Sequence, residues 1–248
     1  MFAETPNSLG PAGPFTQTTY YLGEGWLESR EDISTISNLM EDIPVLPENT
    51  RLRKHETNVY DILQASVEGD EKVIKSFDEF STINQVRLVR GDYKEQLRRV
   101  CHYLHRAMQY TSNHTQQQML EKTHNSFLTG DLEAYKNAQR VWVNDKAPAI
   151  ETVIGFVEPY RDPLGVRGEF EGIVGLADLE ETKKLHSLAT MANRLVCRLP
   201  WVEDRHSNKG PFEKEMFEPP DFSSVQSMLS LFPKEVHKLT SLRSGLLF

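Results

Sequence analysis

Strand-like and helix-like runs come in blocks along these 248 residues instead of alternating, and that order constrains the fold more than any other feature. Strand-like runs at residues 17–22, 50–56, 58–66 and 83–88 are interrupted by a single helical run at 27–40. Three runs of helical spacing follow, reaching to about residue 138, and then two strand-like runs, 152–160 and 168–177, come back to back before a last helix. A doubly wound parallel sheet needs a helix between successive strands, whereas blocks of each kind read as α+β. No internal repeat is present.

The helical runs carry their own punctuation. Leu27, Ile33, Ile36, Leu39 and Met40 mark one helix face, which Pro44 and Pro47 bring to an end. Asp92 and Glu95 have the spacing of a capping box, and Leu97, Val100, Cys101, Leu104 and Met108 then line one face. A second helix is predicted over 115–127, stopping at Gly130, and Asp131 opens a third. Asp178 with Glu181 repeats the box before a long run through Leu185, Leu188, Leu195 and Val196 that Pro200 terminates. Residues 1–14, with Pro6, Pro11 and Pro14, read as a tail.

Charge and composition exclude several classes. Lys and Arg total 28 against 36 Asp and Glu, a net charge of −8, which disfavours a nucleic-acid or anionic-membrane binder. The longest apolar-plus-glycine stretch, 172–177, is far short of the roughly 20 residues a membrane span needs. No basic, apolar leader opens the chain, so the expectation is a cytoplasmic protein. Cys101 and Cys197 are too few for a disulfide framework and read as buried free thiols in helices.

The search for chemistry leaves one constellation. None of the eight histidines belongs to an HExxH motif. His102 and His105 sit one turn apart without a third ligand, so no metal site is assigned. The glycine pairs at 165/168 and 172/175 fit no phosphate-binding pattern, and no GxSxG elbow occurs. Glu158 and Tyr160, however, are two apart in a strand-like run behind apolar Ile154 and Phe156, as where a strand emerges into a cleft. A carboxylate there could take a substrate ammonium, and a phenol could donate to a developing oxyanion. Equally, Glu158 could pair with Arg161 or Arg167 while Tyr160 caps the sheet.

Residues 155–163, Gly-Phe-Val-Glu-Pro-Tyr-Arg-Asp-Pro, followed by Arg167-Gly168-Glu169-Phe170-Glu171-Gly172, resemble the signature of the dipeptidyl peptidase III family. Val89-Arg90-Gly91-Asp92-Tyr93 and Trp142-Val143-Asn144-Asp145-Lys146 upstream resemble family segments in the same order. So do Leu199-Pro200-Trp201 and Phe217-Glu218-Pro219-Pro220-Asp221-Phe222 downstream, extending the likeness over 17–227. Pro159 departs from it, standing where a small polar residue is expected.

The resemblance implies much longer, two-lobed, zinc-dependent exopeptidases that release dipeptides from the N-termini of short peptides. It implies a β-barrel-like mixed sheet with flanking helices, the substrate-binding lobe, over 15–227. Within it, 178–217 would pack toward a zinc-binding lobe missing from this chain. By the resemblance, Glu158 matches the carboxylate that holds the substrate's free amino group, and Tyr160 the hydroxyl that supports the tetrahedral intermediate. The family's zinc is held by an HExxGH motif and a later glutamate. The expectation is therefore no cofactor in this chain, no activity of the chain alone, and a divergent tail over 228–248. Expected partners are short peptides and the zinc lobe of a full-length relative, with no nucleic acid and no membrane. The alternative is a non-catalytic peptide-binding or interaction protein.

Overall fold

The computed structural model describes residues 19–23, 31–55, 57–78, 81–146, 148–162, 164–191, 194, 195 and 198, and the backbone alone of 7–8, 17–18, 30, 225–232 and 235–239. The chain divides into two compact units. One comprises Met1–Asp145, Val153–Gly172 and Leu231–Val236; the other Lys146–Thr152, Ile173–Ser230 and His237–Phe248.

The first unit opens with a two-residue parallel pair, β1 (Asn7–Ser8) and β2 (Gln17–Thr18). It is then built on a mixed sheet of β3 (Tyr21–Gly23), β4 (Thr50–Lys54), β5 (Val59–Ala65), β6 (Glu71–Ser76) and β7 (Gln85–Asp92) in the order β3-β4-β5-β7-β6. β3 runs parallel to β4 and β5 parallel to β7, whereas β4–β5 and β6–β7 are antiparallel. Strand periodicity gives the two faces opposite characters. Leu52, Tyr60, Ile62 and Val86 meet Ile33, Ile36 and Met40 of α1 (Arg30–Glu41) in one core. On the other face Arg51 pairs with Asp92, and the fully buried Asp61 accepts from Arg53, His55 and Arg87 at 2.7 Å each. Burial alone would raise the Asp61 pKa, but those hydrogen bonds outweigh it and hold the carboxyl below the usual range.

A second core joins α2 (Lys94–Ala107), α3 (His114–Thr129) and α4 (Leu132–Trp142) through Leu97, Cys101, Leu104, Met119, Leu120, Phe127 and Ala138. Burial of the predicted α2 face is what makes that short helix stable. A 3-10 turn, Met108–Tyr110, leads from α2 toward α3. Asn113 caps α3 by accepting from Gln116 N, and Asp131 caps α4 by accepting from Glu133 N. β8 (Ile150–Glu158) and β9 (Glu169–Ala177) are neighbours in a four-stranded sheet of order β11-β10-β9-β8, whose other backbone strands are β10 (Val225–Phe232) and β11 (Glu235–Leu239). In the second unit, Ala177 N donates to Ala149 O, and Asp178 caps α5 (Leu179–Thr190) through the N–H groups of Glu180 and Glu181.

The α+β class and the flanking helices are as the sequence predicts, but the four- and five-stranded sheets have open edges and neither forms a closed barrel among the described residues. Three local expectations change. Asp92 does not cap α2: it ends β7 with both carboxylate oxygens 2.7 Å from Arg51, and Tyr93 takes the cap position at φ 56° with no side-chain bond. A bidentate charged pair outcompetes a single amide for the carboxylate. β6 was not predicted, because this edge strand is exposed and guarded by Glu71, Lys72 and Lys75, so apolar alternation is faint. The predicted long helix is interrupted: α5 ends at Thr190 and Met191 is in a turn, whereas Arg194 and Leu195 are again helical, with their N–H groups bonded to Met191 O; residues 192, 193, 196, 197 and 199–224 lie outside the described residues, Cys197 and Pro200 among them.

Candidate functional site

The strand carrying Glu158 is fixed by aromatic and steric contacts within the first unit. Phe156 packs edge-on against Phe170 of β9 at 5.2 Å, and Phe170 lies 5.8 Å from Phe127 of α3. Gly155 permits Tyr135 of α4 to lie over the strand, since a Cβ there would sit 2.6 Å from the Tyr135 hydroxyl. Gly168 is as tightly held: its N–H donates to Glu48 O, and a Cβ would fall 2.8 Å from the Phe156 carbonyl carbon.

β8 stops at Glu158 because Pro159 has no N–H to continue a ladder. Tyr160 therefore stands on a turn and not, as predicted, on the same strand face as Glu158; it is 81% exposed. Inside the turn the Asp162 carboxylate is the hub. Its Oδ1 accepts from Tyr21 Oη at 2.6 Å and Leu164 N at 3.2 Å, and its Oδ2 from the N–H groups of Val166 and Arg167 at 2.9 Å each. Asp162 N and Gly165 N close back onto Pro159 O and Asp162 O. Arg167 is fully buried, donates to Tyr21 Oη at 3.2 Å and lies over the Tyr21 ring. Burial raises the Tyr21 pKa, an effect that Arg167 opposes.

Among the described residues neither Arg161 nor Arg167, the two cations that could pair with Glu158, does so. Arg161 Nε lies 3.2 Å from Glu169, and Arg167 is turned into the core. Glu158 is half-buried and close enough to Glu171 to influence its titration: burial, then repulsion by Glu158 and Glu169, raises the Glu171 pKa. Tyr135 beside them is pushed up to about 12 by burial, with Glu171 adding to it. Among the described residues Glu169 is paired with Arg161, whereas no ion pair engages Glu158 or Glu171; two neighbouring carboxylates of this kind favour an incoming ammonium.

Glu169, Glu171, Asp162 and Tyr21 were not singled out in the sequence. Two glutamates at i and i+2 opening a strand were a readable sign; Tyr21 reaches the turn from 141 residues away, which spacing does not reveal. Among the described residues no group of three or more His, Cys, Asp and Glu side chains could hold a metal ion. His105 instead faces His124 at 6.3 Å, and burial pushes the free Cys101 thiol up to about 11. No helix among the described residues is long and apolar enough to cross a membrane.

The sequence has counterparts among known proteins. The chain belongs to peptidase family M49, whose model matches residues 1–231. It is 37% identical over 198 residues to dipeptidyl peptidase 3 of Dictyostelium discoideum, covering 80% of this chain and 27% of that protein. It is 36% identical over 220 residues to dipeptidyl peptidase 3 of Homo sapiens, covering 84% and 28%. The chain thus spans little more than a quarter of the length of these relatives. The structure of dipeptidyl-peptidase III from Corallococcus sp. strain EGB matches with a TM-score of 0.47 at 20% identity, over 73% of this chain and 29% of that one.

Proposed function

We propose that this chain is the peptide-gripping part of a dipeptidyl peptidase III-like enzyme. Glu158 receives the free ammonium of a short peptide, and Tyr160 lends its hydroxyl to the carbonyl oxygen that gains charge during hydrolysis. The observation that carries this reading is the Glu158 carboxylate at the end of edge strand β8, beside Glu171, with Arg161 and Arg167 both engaged elsewhere. A carboxylate pair holding one ammonium measures substrate from its N-terminus, the requirement for removing a fixed number of residues. A positioned hydroxyl supporting an oxyanion contributes about 2.7–4 kcal/mol where comparable donors have been removed.

Zinc, which the family implies for full-length relatives, finds no fitting ligand set among the described residues, and no step is assigned to it. We propose that the chain alone binds peptides without cleaving them. A cytoplasmic setting suits the free thiol of Cys101. The test is equilibrium binding of Ala-Ala-Ala to the purified chain in metal-free buffer. Saturable binding weakened about tenfold or more by Glu158→Ala is expected; equal binding by both proteins would overturn the reading.

A further inference from the structure

We infer that Tyr21, Asp162 and Arg167 are positioning residues that set the turn presenting Tyr160 next to Glu158. The inference rests on the proposed peptide-gripping role of those two residues. Tyr160 is 81% exposed, so side-chain packing does little to orient it, and its direction comes from the backbone of the turn. That backbone is held by one carboxylate. Asp162, 6% exposed, receives three N–H groups from its own turn and the hydroxyl of Tyr21.

The charge arrangement below the turn points the same way. The Arg167 side chain is the largest fully buried one of the described residues; its guanidinium is linked to the Asp162 carboxylate through the Tyr21 hydroxyl, beside the direct bond from its backbone N–H, and its Nε has no hydrogen-bond partner among the described residues. Burying a guanidinium this way is costly, and an apolar side chain of similar volume would serve stability as well or better. The cost is intelligible if a buried Arg–Tyr–Asp relay selects one conformation of an otherwise exposed loop. Through Tyr21, β3 becomes part of the site although it lies 141 residues upstream.

Two readouts on the full chain test this. The first is amide hydrogen exchange at Leu164, Val166 and Arg167. Asp162→Ala is expected to speed exchange there about tenfold or more while α2 amides keep their protection. Asp162→Asn, which retains an accepting oxygen, should fall in between. Tyr21→Phe removes a single hydroxyl and carries the test if the alanine variant does not fold. The second readout is the affinity ratio of Ala-Ala-Ala to its N-acetyl form, expected to drop about tenfold in Asp162→Ala and Tyr21→Phe. If the unaltered chain binds both peptides alike, the reading of Glu158 fails and this inference falls with it. If the unaltered chain discriminates, either of two results overturns the inference alone: turn amides that stay protected in both variants, or full discrimination despite lost protection.

Discussion

An alanine at position 155 would place its Cβ 2.6 Å from the Tyr135 hydroxyl, a distance that forces the strand or the ring to move. Gly155→Ala is therefore expected to destabilise the chain by about 1–3 kcal/mol, read as a lowered denaturation midpoint. Combining it with Tyr135→Ala should recover part of that loss. Glu171 gives a second residue-scale prediction. Its pKa is raised by burial and by Glu158 and Glu169, so a cation arriving between the carboxylates should lower it. Carboxyl 13C titration with saturating Ala-Ala-Ala should show Glu171 protonating at lower pH than in the free chain; no shift would separate the ammonium from this pair. The strand pattern places Glu158 on β8 but misplaces Tyr160, because Pro159 ends the ladder and puts the tyrosine on a turn. Asp162 was not legible, since an aspartate in a turn is common and nothing local tells that it is buried beneath a distant tyrosine.

Among the elements, the clearest pH dependence lies between α2 and α3. His124 is held below its ordinary pKa by burial and then by His105, whose ring lies 6.3 Å away. The unfolded chain takes the proton more readily, so stability falls as pH drops below about 6.5; above that both states are neutral and the group contributes nothing. Urea midpoints at pH 7.5 and 5.5 should differ less in His124→Gln than in the unaltered chain. In the sheet, Asp61→Asn leaves Arg53 and Arg87 facing a neutral amide and should cost about 1.5–3 kcal/mol at pH 7. Helices were readable where a cap and an apolar stripe coincided, as at Asp131 and Asp178. The start of α2 was not, because Arg51 claims Asp92 from across the sheet, and β6 was not, because an exposed edge strand has no apolar face to show.

At the scale of the whole molecule, membership of peptidase family M49 covers residues 1–231, while the chain spans little more than a quarter of its curated relatives. The account assigns to that span the recognition of a peptide N-terminus. It predicts that the purified chain releases no product from a dipeptidyl arylamide with or without added zinc; release abolished by a chelator would show an unrecognised ligand set. The α+β class was legible because block order needs no long-range information, whereas open sheet edges depend on pairings between distant strands. The central claim is most directly tested by calorimetric titration of the purified chain with Ala-Ala-Ala and with N-acetyl-Ala-Ala-Ala at pH 7. The account predicts saturable binding of the free peptide and at least about tenfold weaker binding of the acetylated one. Equal affinities would contradict it.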